Sequence, residues 1–92
     1  MRLLIVEDEK DLREVLKKRL EKENYSVDAC KDGLEAMDYI EMASYDGMIL
    51  DIMVPGKDGL TILKEVRDKG DDTPILMLTA RDGIEDRVRG LD

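Results

Sequence analysis

The sequence predicts an α/β domain with a parallel β-sheet, because short apolar segments rich in strand-forming residues alternate with segments of helical periodicity. Its 92 residues, of which 42% are hydrophobic and 41% charged, suffice for one globular domain with one core, which we place over residues 1–92. The alternation is not interrupted by a repeat or a linker. The four predicted strands are Arg2–Val6, Tyr25–Cys30, Tyr45–Asp51 and Pro74–Thr79.

The apolar patterns of these strands predict their order in the sheet. The first, third and fourth strands are almost continuously apolar, which is typical of strands covered by helices on both faces. The second alternates, with Val27 and Ala29 against Ser26 and Asp28, which is typical of a half-exposed edge strand. The predicted order is therefore 2-1-3-4, an incomplete (βα)4 unit of a flavodoxin-like doubly wound sheet with right-handed crossovers.

One helix is predicted after each strand, which makes four. Apolar residues recur at helical spacing, and charged residues fill the other faces. The second and third helices follow Asp-Gly pairs, and Asp82 is a candidate N-cap for the fourth. The apolar positions that define the helices are, in chain order, Leu12, Val15, Leu16 and Leu20; Ala36, Met37 and Ile40; Ile62, Leu63 and Val66; and Ile84, Val88 and Leu91.

The composition excludes several classes of function. The formal net charge of −8 disfavours direct nucleic-acid binding by this segment and favours basic partners or cations. The absence of histidine excludes histidine-based catalysis and the common zinc sites. The single cysteine, Cys30, cannot form an internal disulfide, which suits a reducing cytoplasm, and no apolar run is long enough to span a membrane.

Three carboxylates are predicted to meet at one edge of the sheet. Glu7 and Asp8 follow the first strand, and Asp51 ends the third. Ligands of open α/β sheets bind at the carboxyl ends of strands where the winding reverses, which for this order lies between the first and third strands. Two unit charges about 5 Å apart repel by roughly 3 kcal/mol at an effective dielectric constant of 20, so the cluster requires a cation or a raised pKa. Magnesium suits such a site because it binds few carboxylates and keeps several waters.

Thr79 ends the fourth predicted strand, beside the same edge of the sheet. Its hydroxyl can donate a hydrogen bond to a phosphoryl oxygen, and the small side chain of Ala80 leaves space for that group. Asp51 is then a candidate nucleophile, since the attack of a carboxylate on phosphorus gives an acyl phosphate. A bound metal would offset the charge on the transferred group.

Three motifs, spread along the whole chain, resemble the receiver domain of bacterial two-component response regulators. The segment "LLIVEDE" resembles its first strand with the acidic pair, "DIMVPGKDG" its phosphoacceptor motif, and "PILMLTARD" its fourth strand with the switch threonine. The segment "TARDGIEDRVRGLD" is most similar to the OmpR-type subfamily, whose receivers precede a winged-helix DNA-binding domain.

This resemblance implies a role for each residue of the site. Asp51 would be the phosphorylated aspartate, and Thr79 would bind the phosphoryl group and carry the signal. Asp8 and Asp51 would ligate Mg²⁺ directly, Glu7 partly through water, and Met53 through its backbone carbonyl. The phosphoryl donor would be a sensor histidine kinase, and the parent protein would regulate transcription. The domain would be a phosphoacceptor and not an enzyme.

The resemblance also implies that the chain stops before the fifth strand and fifth helix of a receiver. The lysine that ends the fifth strand in the family then has no counterpart among the 92 residues. The fourth strand would present an apolar and almost uncharged edge. We therefore expect self-association through this edge or by exchange of elements between copies.

Two other functions fit part of the pattern. A Mg²⁺-dependent phosphatase that passes through an aspartyl phosphate usually needs a second aspartate two residues after the nucleophile, and that position is Met53 here. The other alternative is a binding module without chemistry, because the lysine that the family uses is missing.

Overall fold

The computed structural model describes residues 1–52, 56, 58–78 and 88–91, the last four by their backbone. The helices are α1 (Lys10–Lys22), α2 (Gly33–Met42) and α3 (Gly59–Asp68), and the strands are β1 (Arg2–Val6), β2 (Ser26–Cys30), β3 (Gly47–Asp51), β4 (Ile75–Leu78) and β5 (Val88–Leu91). The five strands form one sheet in the order β2-β1-β3-β4-β5.

The parallel part of the sheet confirms the predicted strand order 2-1-3-4. Strand β1 pairs in parallel with β2 on one side and with β3 on the other, and β4 pairs in parallel with β3. As predicted from its alternating pattern, β2 lies at an edge of the sheet. In the register of β1 and β3, Val6 pairs with Leu50, so the residues that follow Val6 lie next to the end of β3.

The Asp-Gly pairs at Asp32–Gly33 and Asp58–Gly59 begin helices α2 and α3, as the sequence predicts. The side chain of Asp32 accepts a hydrogen bond from the backbone N–H of Glu35 at 2.8 Å, and Asp58 accepts one from Thr61 at 2.8 Å. Each bond satisfies one of the N–H groups that the first turn of a helix leaves without an internal partner.

Within the described part of the chain, no helix is long and apolar enough to cross a membrane.

The main core lies between the sheet and the helices α2 and α3. It is built from strand residues of β1, β3 and β4 together with the buried faces of the two helices; its members include Leu4, Val6, Met48, Leu50, Ile75, Met77, Ala36, Ile62 and Val66. Helix α1 packs on β1 and β2 and contains no fully buried residue. Ile5, which alternates to the other face of β1 from Leu4 and Val6, is also fully buried.

The prediction of a helix through Val88 and Leu91 is wrong, because Val88–Leu91 forms strand β5. This strand runs antiparallel to β4, with Leu91 opposite Leu76 and Val88 opposite Leu78. The pairing satisfies backbone N–H and C=O groups along the outer side of β4, which a helix would leave to solvent. A helical pattern of three apolar residues is too short to outweigh that gain. Ile84 and Asp82, the rest of the predicted helix, lie outside the described residues.

The same strand changes the prediction about the edge of the sheet. The edge of β4 is not open, since β5 is hydrogen-bonded to it, with a register shift between Met77 and Leu78. Self-association through a free β4 edge therefore has no structural basis in the described residues, and exchange of elements between copies stays a prediction.

A cluster of polar side chains joins β1, β2 and the residues before β3. The carboxylate of Asp28 accepts a hydrogen bond from the hydroxyl of Tyr45 at 2.6 Å and pairs with the guanidinium of Arg2 at 2.8 Å. The guanidinium also lies over the ring of Tyr45, 5.4 Å from its centroid. The hydroxyl of Tyr45, followed by Arg2, lowers the pKa of Asp28. We call Arg2, Asp28 and Tyr45 the amino-end cluster.

The only cysteine, Cys30, ends β2 next to the end of β1. It pairs in register with Val6, and its side chain is 3% exposed. Burial, followed by the charges of Glu35 and Asp32, raises the pKa of its thiol to about 12. Cys30 is therefore part of the core, with a thiol that stays protonated at neutral pH.

Candidate metal centre

The three predicted carboxylates meet at the carboxyl end of the sheet. Glu7 and Asp8 follow β1, and Asp51 is the last residue of β3. One oxygen from each of the three carboxylates lies within 4.8 Å of the other two. The structure thus brings together residues that are 43 and 44 positions apart in the chain, and the reason is the parallel pairing of β1 with β3.

Burial divides the three carboxylates into two kinds. Glu7 is 3% exposed and Asp51 is 5% exposed, whereas Asp8 lies at the surface. Glu7 and Asp51 are the buried charged or polar residues of the described chain. Carboxylates are rarely buried, so two of them together at adjoining strand ends make this a candidate functional site. The exposed Asp8 gives the site an open side.

The environment of Glu7 favours its protonated form. Burial raises the pKa of Glu7 to about 7, and the nearby charge of Asp51 acts in the same direction. The backbone N–H of Glu9, which donates to Oε2 of Glu7 at 2.9 Å, opposes this rise. A cation bound by the three carboxylates would favour the ionised form instead, so cation binding and loss of a proton from Glu7 are linked.

The loop from β1 to α1 holds Glu7 and Asp8 by backbone bonds. The N–H of Glu7 donates to the carbonyl of Cys30 at 3.1 Å, which extends the pairing of β1 with β2 by one residue. Glu9 occupies the N-cap of α1 without a capping bond from its side chain. Arg13 of α1 reaches back to the loop and donates from Nη1 to the carbonyls of Glu7 at 2.9 Å and Asp8 at 3.4 Å.

Gly59 lets the start of α3 approach the end of β3. A Cβ atom at this position would lie 2.6 Å from the carbonyl oxygen of Asp51 and 2.9 Å from the methyl carbon of Met77. The N–H of Gly59 donates to the carbonyl of Ile52 at 3.1 Å, which joins the start of α3 to the residue that follows Asp51. The absence of a side chain at Gly59 therefore sets how closely α3 can pack beside Asp51.

Two of the predicted site residues, Met53 and Thr79, lie outside the described residues.

Two residues that shape the site, Arg13 and Gly59, were not predicted from the sequence. Arg13 carries no mark in the sequence, since a basic residue on an amphipathic helix has the pattern of a solvated surface charge. The Asp-Gly pair that contains Gly59 predicts the start of a helix, but the close approach of this glycine to Asp51 becomes visible only in the fold.

The donor set fits magnesium. All three groups offer carboxylate oxygens, which Mg²⁺ prefers, and two of them are held in the interior. Ligands of one Mg²⁺, at about 2.1 Å from the ion, lie up to about 4.2 Å apart, so oxygens within 4.8 Å of one another need little movement to share it. Glu7, Asp8 and Asp51 would hold the ion, and the remaining positions would take water.

Fold and site together define an α/β domain with a cluster of acidic oxygens at the switch point of a doubly wound sheet. Residues 3–92 match the family described as the response regulator receiver domain. The chain therefore belongs to the response regulator receiver family, which confirms the resemblance carried by the three motifs.

Relatives of known sequence and structure agree with this assignment. The chain is 47% identical over 92 residues to the response regulator MprA of Mycobacterium avium, a match that covers 100% of this chain and 40% of that protein. It is 42% identical to the response regulator TrrA of Thermotoga maritima, solved in complex with Mg²⁺-BeF, with a TM-score of 0.82 over 88% of this chain and 70% of that one. TrrA has also been solved with the histidine kinase ThkA; this chain matches it at 41% identity and a TM-score of 0.81, over 89% of this chain and 71% of that one. The chain thus spans about 40% of the length of the curated relatives it matches.

Proposed function

We propose that this chain is the phosphoacceptor part of a two-component response regulator, in which Asp51 takes a phosphoryl group in the presence of Mg²⁺. The observation that carries the proposal is the convergence of three carboxylate oxygens within 4.8 Å at the end of β1 and β3. The complex of TrrA with Mg²⁺-BeF supports it, because that receiver is 42% identical to this chain.

The proposed reaction transfers phosphorus from nitrogen to oxygen. A carboxylate oxygen of Asp51 forms a bond to phosphorus, and the bond between phosphorus and the imidazole nitrogen of a donor phosphohistidine breaks. The electron pair of that bond stays on the nitrogen, which then takes up a proton. Bound Mg²⁺ would offset negative charge on the phosphoryl group. Glu7 and Asp8 would hold the ion, and the end of β3 places Asp51 beside them.

The donor that we propose is a sensor histidine kinase in the cytoplasm. The complex of the related TrrA with the histidine kinase ThkA supports this class of partner. The parent protein would regulate transcription, as the likeness to the OmpR-type subfamily in "TARDGIEDRVRGLD" implies. The roles of Thr79 as phosphoryl-binding and switch residue and of Met53 as a backbone ligand stay predictions. The chain would act as an acceptor that is modified and not as an enzyme that turns over a substrate.

Phosphorylation of Asp51 can be tested with a small-molecule donor. We expect incubation with acetyl phosphate and Mg²⁺ to add one phosphoryl group, measured by intact mass, and we expect Asp51→Asn to abolish the gain. Asp38→Asn is the matched control, because Asp38 lies exposed on α2 and is not a member of the three-carboxylate cluster. It should be modified like the wild type.

Two results would contradict the proposal. A mass gain that persists in Asp51→Asn would place the modification elsewhere. Absence of any gain in wild type, together with no effect of Mg²⁺ on its melting temperature, would leave the three carboxylates without the proposed role. Steady release of phosphate from phosphomonoesters would instead favour the phosphatase.

A further inference from the structure

The feature that carries a further inference is the side chain of Arg13. Arg13 lies in the first turns of α1, and its backbone N–H donates to the carbonyl of Glu9 at 2.9 Å, the first bond of that helix. Its guanidinium turns back along the loop, where Nη1 donates to the carbonyl of Glu7 at 2.9 Å and to that of Asp8 at 3.4 Å. One nitrogen thus joins two consecutive peptide units, and these carry two of the three site carboxylates.

The two carboxylates depend on the backbone of this loop to different degrees. Glu7 has a second anchor, because its own carboxylate accepts the N–H of Glu9, and its side chain is buried. Asp8 is exposed, so little packing holds its side chain in place. The position of its carboxylate therefore follows the orientation of the peptide unit that Arg13 binds.

The oxygens that accept hydrogen bonds from Arg13 indicate what its guanidinium does. A guanidinium bound to the carboxylates themselves would occupy the oxygens that a cation needs, as the guanidinium of Arg2 occupies an oxygen of Asp28 in the amino-end cluster. Arg13 binds carbonyl oxygens instead. It adds positive charge and two hydrogen bonds to the acidic loop without donating to a carboxylate oxygen of Glu7 or Asp8. The planar guanidinium suits this task because its donors are fixed relative to one another.

We propose that Arg13 is a positioning residue for the divalent cation: through the carbonyls of Glu7 and Asp8 it fixes the loop so that both carboxylates reach one ion together with Asp51. The inference rests on the proposed function, since it assumes that the three carboxylates hold Mg²⁺. Residues that orient metal ligands from behind commonly change metal affinity by about 10-fold or more when they are replaced.

The test is the affinity of the 92-residue chain for Mg²⁺, measured by calorimetry on wild type and three variants. Arg13→Met removes the donor and the charge, Arg13→Lys keeps the charge with a compact ammonium, and Lys10→Met removes the charge of an exposed lysine at the start of α1. Loss of a nearby positive charge alone strengthens cation binding or leaves it unchanged. Loss of positioning weakens it, so the two explanations predict opposite signs.

We expect Arg13→Met to weaken Mg²⁺ binding about 10-fold, Lys10→Met to bind as tightly as wild type or tighter, and Arg13→Lys to fall between Arg13→Met and wild type. Arg13→Met that binds like wild type or like Lys10→Met would overturn the inference and leave the proposed function intact. Wild type that binds no Mg²⁺ would overturn the proposed function itself. If Arg13→Met does not melt cooperatively, Arg13→Lys decides: an affinity equal to that of wild type would contradict positioning by the guanidinium.

Discussion

The single carboxylate of the amino-end cluster, Asp28, and the three carboxylates at the carboxyl end of the sheet have their charge treated in different ways by the fold. In the amino-end cluster, Asp28 receives the hydroxyl of Tyr45 at 2.6 Å and the guanidinium of Arg2 at 2.8 Å, and its pKa is lowered. Beyond the other end of β1, Glu7 has the N–H of Glu9 and two further carboxylates as neighbours, and its pKa is raised to about 7. The charge of Asp28 is offset by groups of the protein itself, whereas Glu7 is held where a cation from solution would offset its charge.

The largest effect that this comparison predicts is a loss of stability with rising pH at Glu7. The pKa of Glu7 rises from 4.5 in the unfolded chain to about 7 in the folded chain, so the folded state binds the proton more tightly between these values. Stability therefore falls as the pH rises through this window and levels off above it. We expect wild type without divalent cations to lose about 2–3 kcal/mol relative to Glu7→Gln.

Urea unfolding across this pH range, with a chelator present, measures the loss at Glu7. Glu21→Gln, a change at an exposed position of α1, should follow the wild-type curve. Equal pH dependence of wild type and Glu7→Gln would show that Glu7 is not the group whose charge the fold disfavours. Added Mg²⁺ should restore most of the lost stability at high pH, since it favours the ionised carboxylates.

A smaller effect of opposite pH dependence is expected at the amino-end cluster. Tyr45→Phe removes the hydroxyl that donates to the charged Asp28 and should lower the free energy of unfolding by about 1–2 kcal/mol at neutral pH. Because the pKa of Asp28 is lowered in the fold, its contribution is present above about pH 3.8 and is lost as the pH falls through the folded pKa. Acid unfolding should therefore differ less between wild type and Tyr45→Phe than unfolding at neutral pH. Tyr39→Phe, at a more exposed tyrosine of α2, is the control and should have little effect.

The smallest effect concerns the ion pair of the same cluster. The side chain of Arg2 is 49% exposed, so its bond to Asp28 is weakened by solvent and salt. We expect Arg2→Met, which keeps an apolar stem beside Tyr45, to lower the free energy of unfolding by less than Tyr45→Phe does at moderate ionic strength. Arg19→Met on α1 serves as the comparison for loss of an exposed arginine. A cost above that of Tyr45→Phe would mean that the cation and not the hydroxyl neutralises Asp28.

The sequence predicts the acidic end of this sheet better than its far edge, for a physical reason. Continuous apolar runs mark β1 and β3, their parallel pairing places chain-distant strand ends side by side, and the meeting of Glu7 with Asp51 follows. Val88–Leu91 forms a strand because it pairs with the backbone N–H and C=O groups of β4. Backbone groups do not depend on residue type, so side-chain periodicity could not reveal this pairing.

Contacts to the backbone were equally hidden from the sequence. Arg13 binds carbonyl oxygens, and a carbonyl has no residue type that a pattern could match. The amino-end cluster combines residues from three parts of the chain, of which Tyr45 was interpreted as the start of a strand. Strand β3 begins at Gly47 instead, which leaves Tyr45 before it, where its hydroxyl reaches Asp28.

The buried position of Cys30 makes its thiol a probe of local opening of the fold. Cys30 is the only cysteine in the sequence, and it is 3% exposed. Its backbone carbonyl accepts a hydrogen bond from the N–H of Glu7. A thiol reagent can modify Cys30 only when the packing around the end of β2 opens, so the rate of labelling measures how often this part of the fold opens. A cation bound by the three carboxylates should slow the labelling of Cys30. The labelling rate of the wild-type protein would then report how much of the site is occupied.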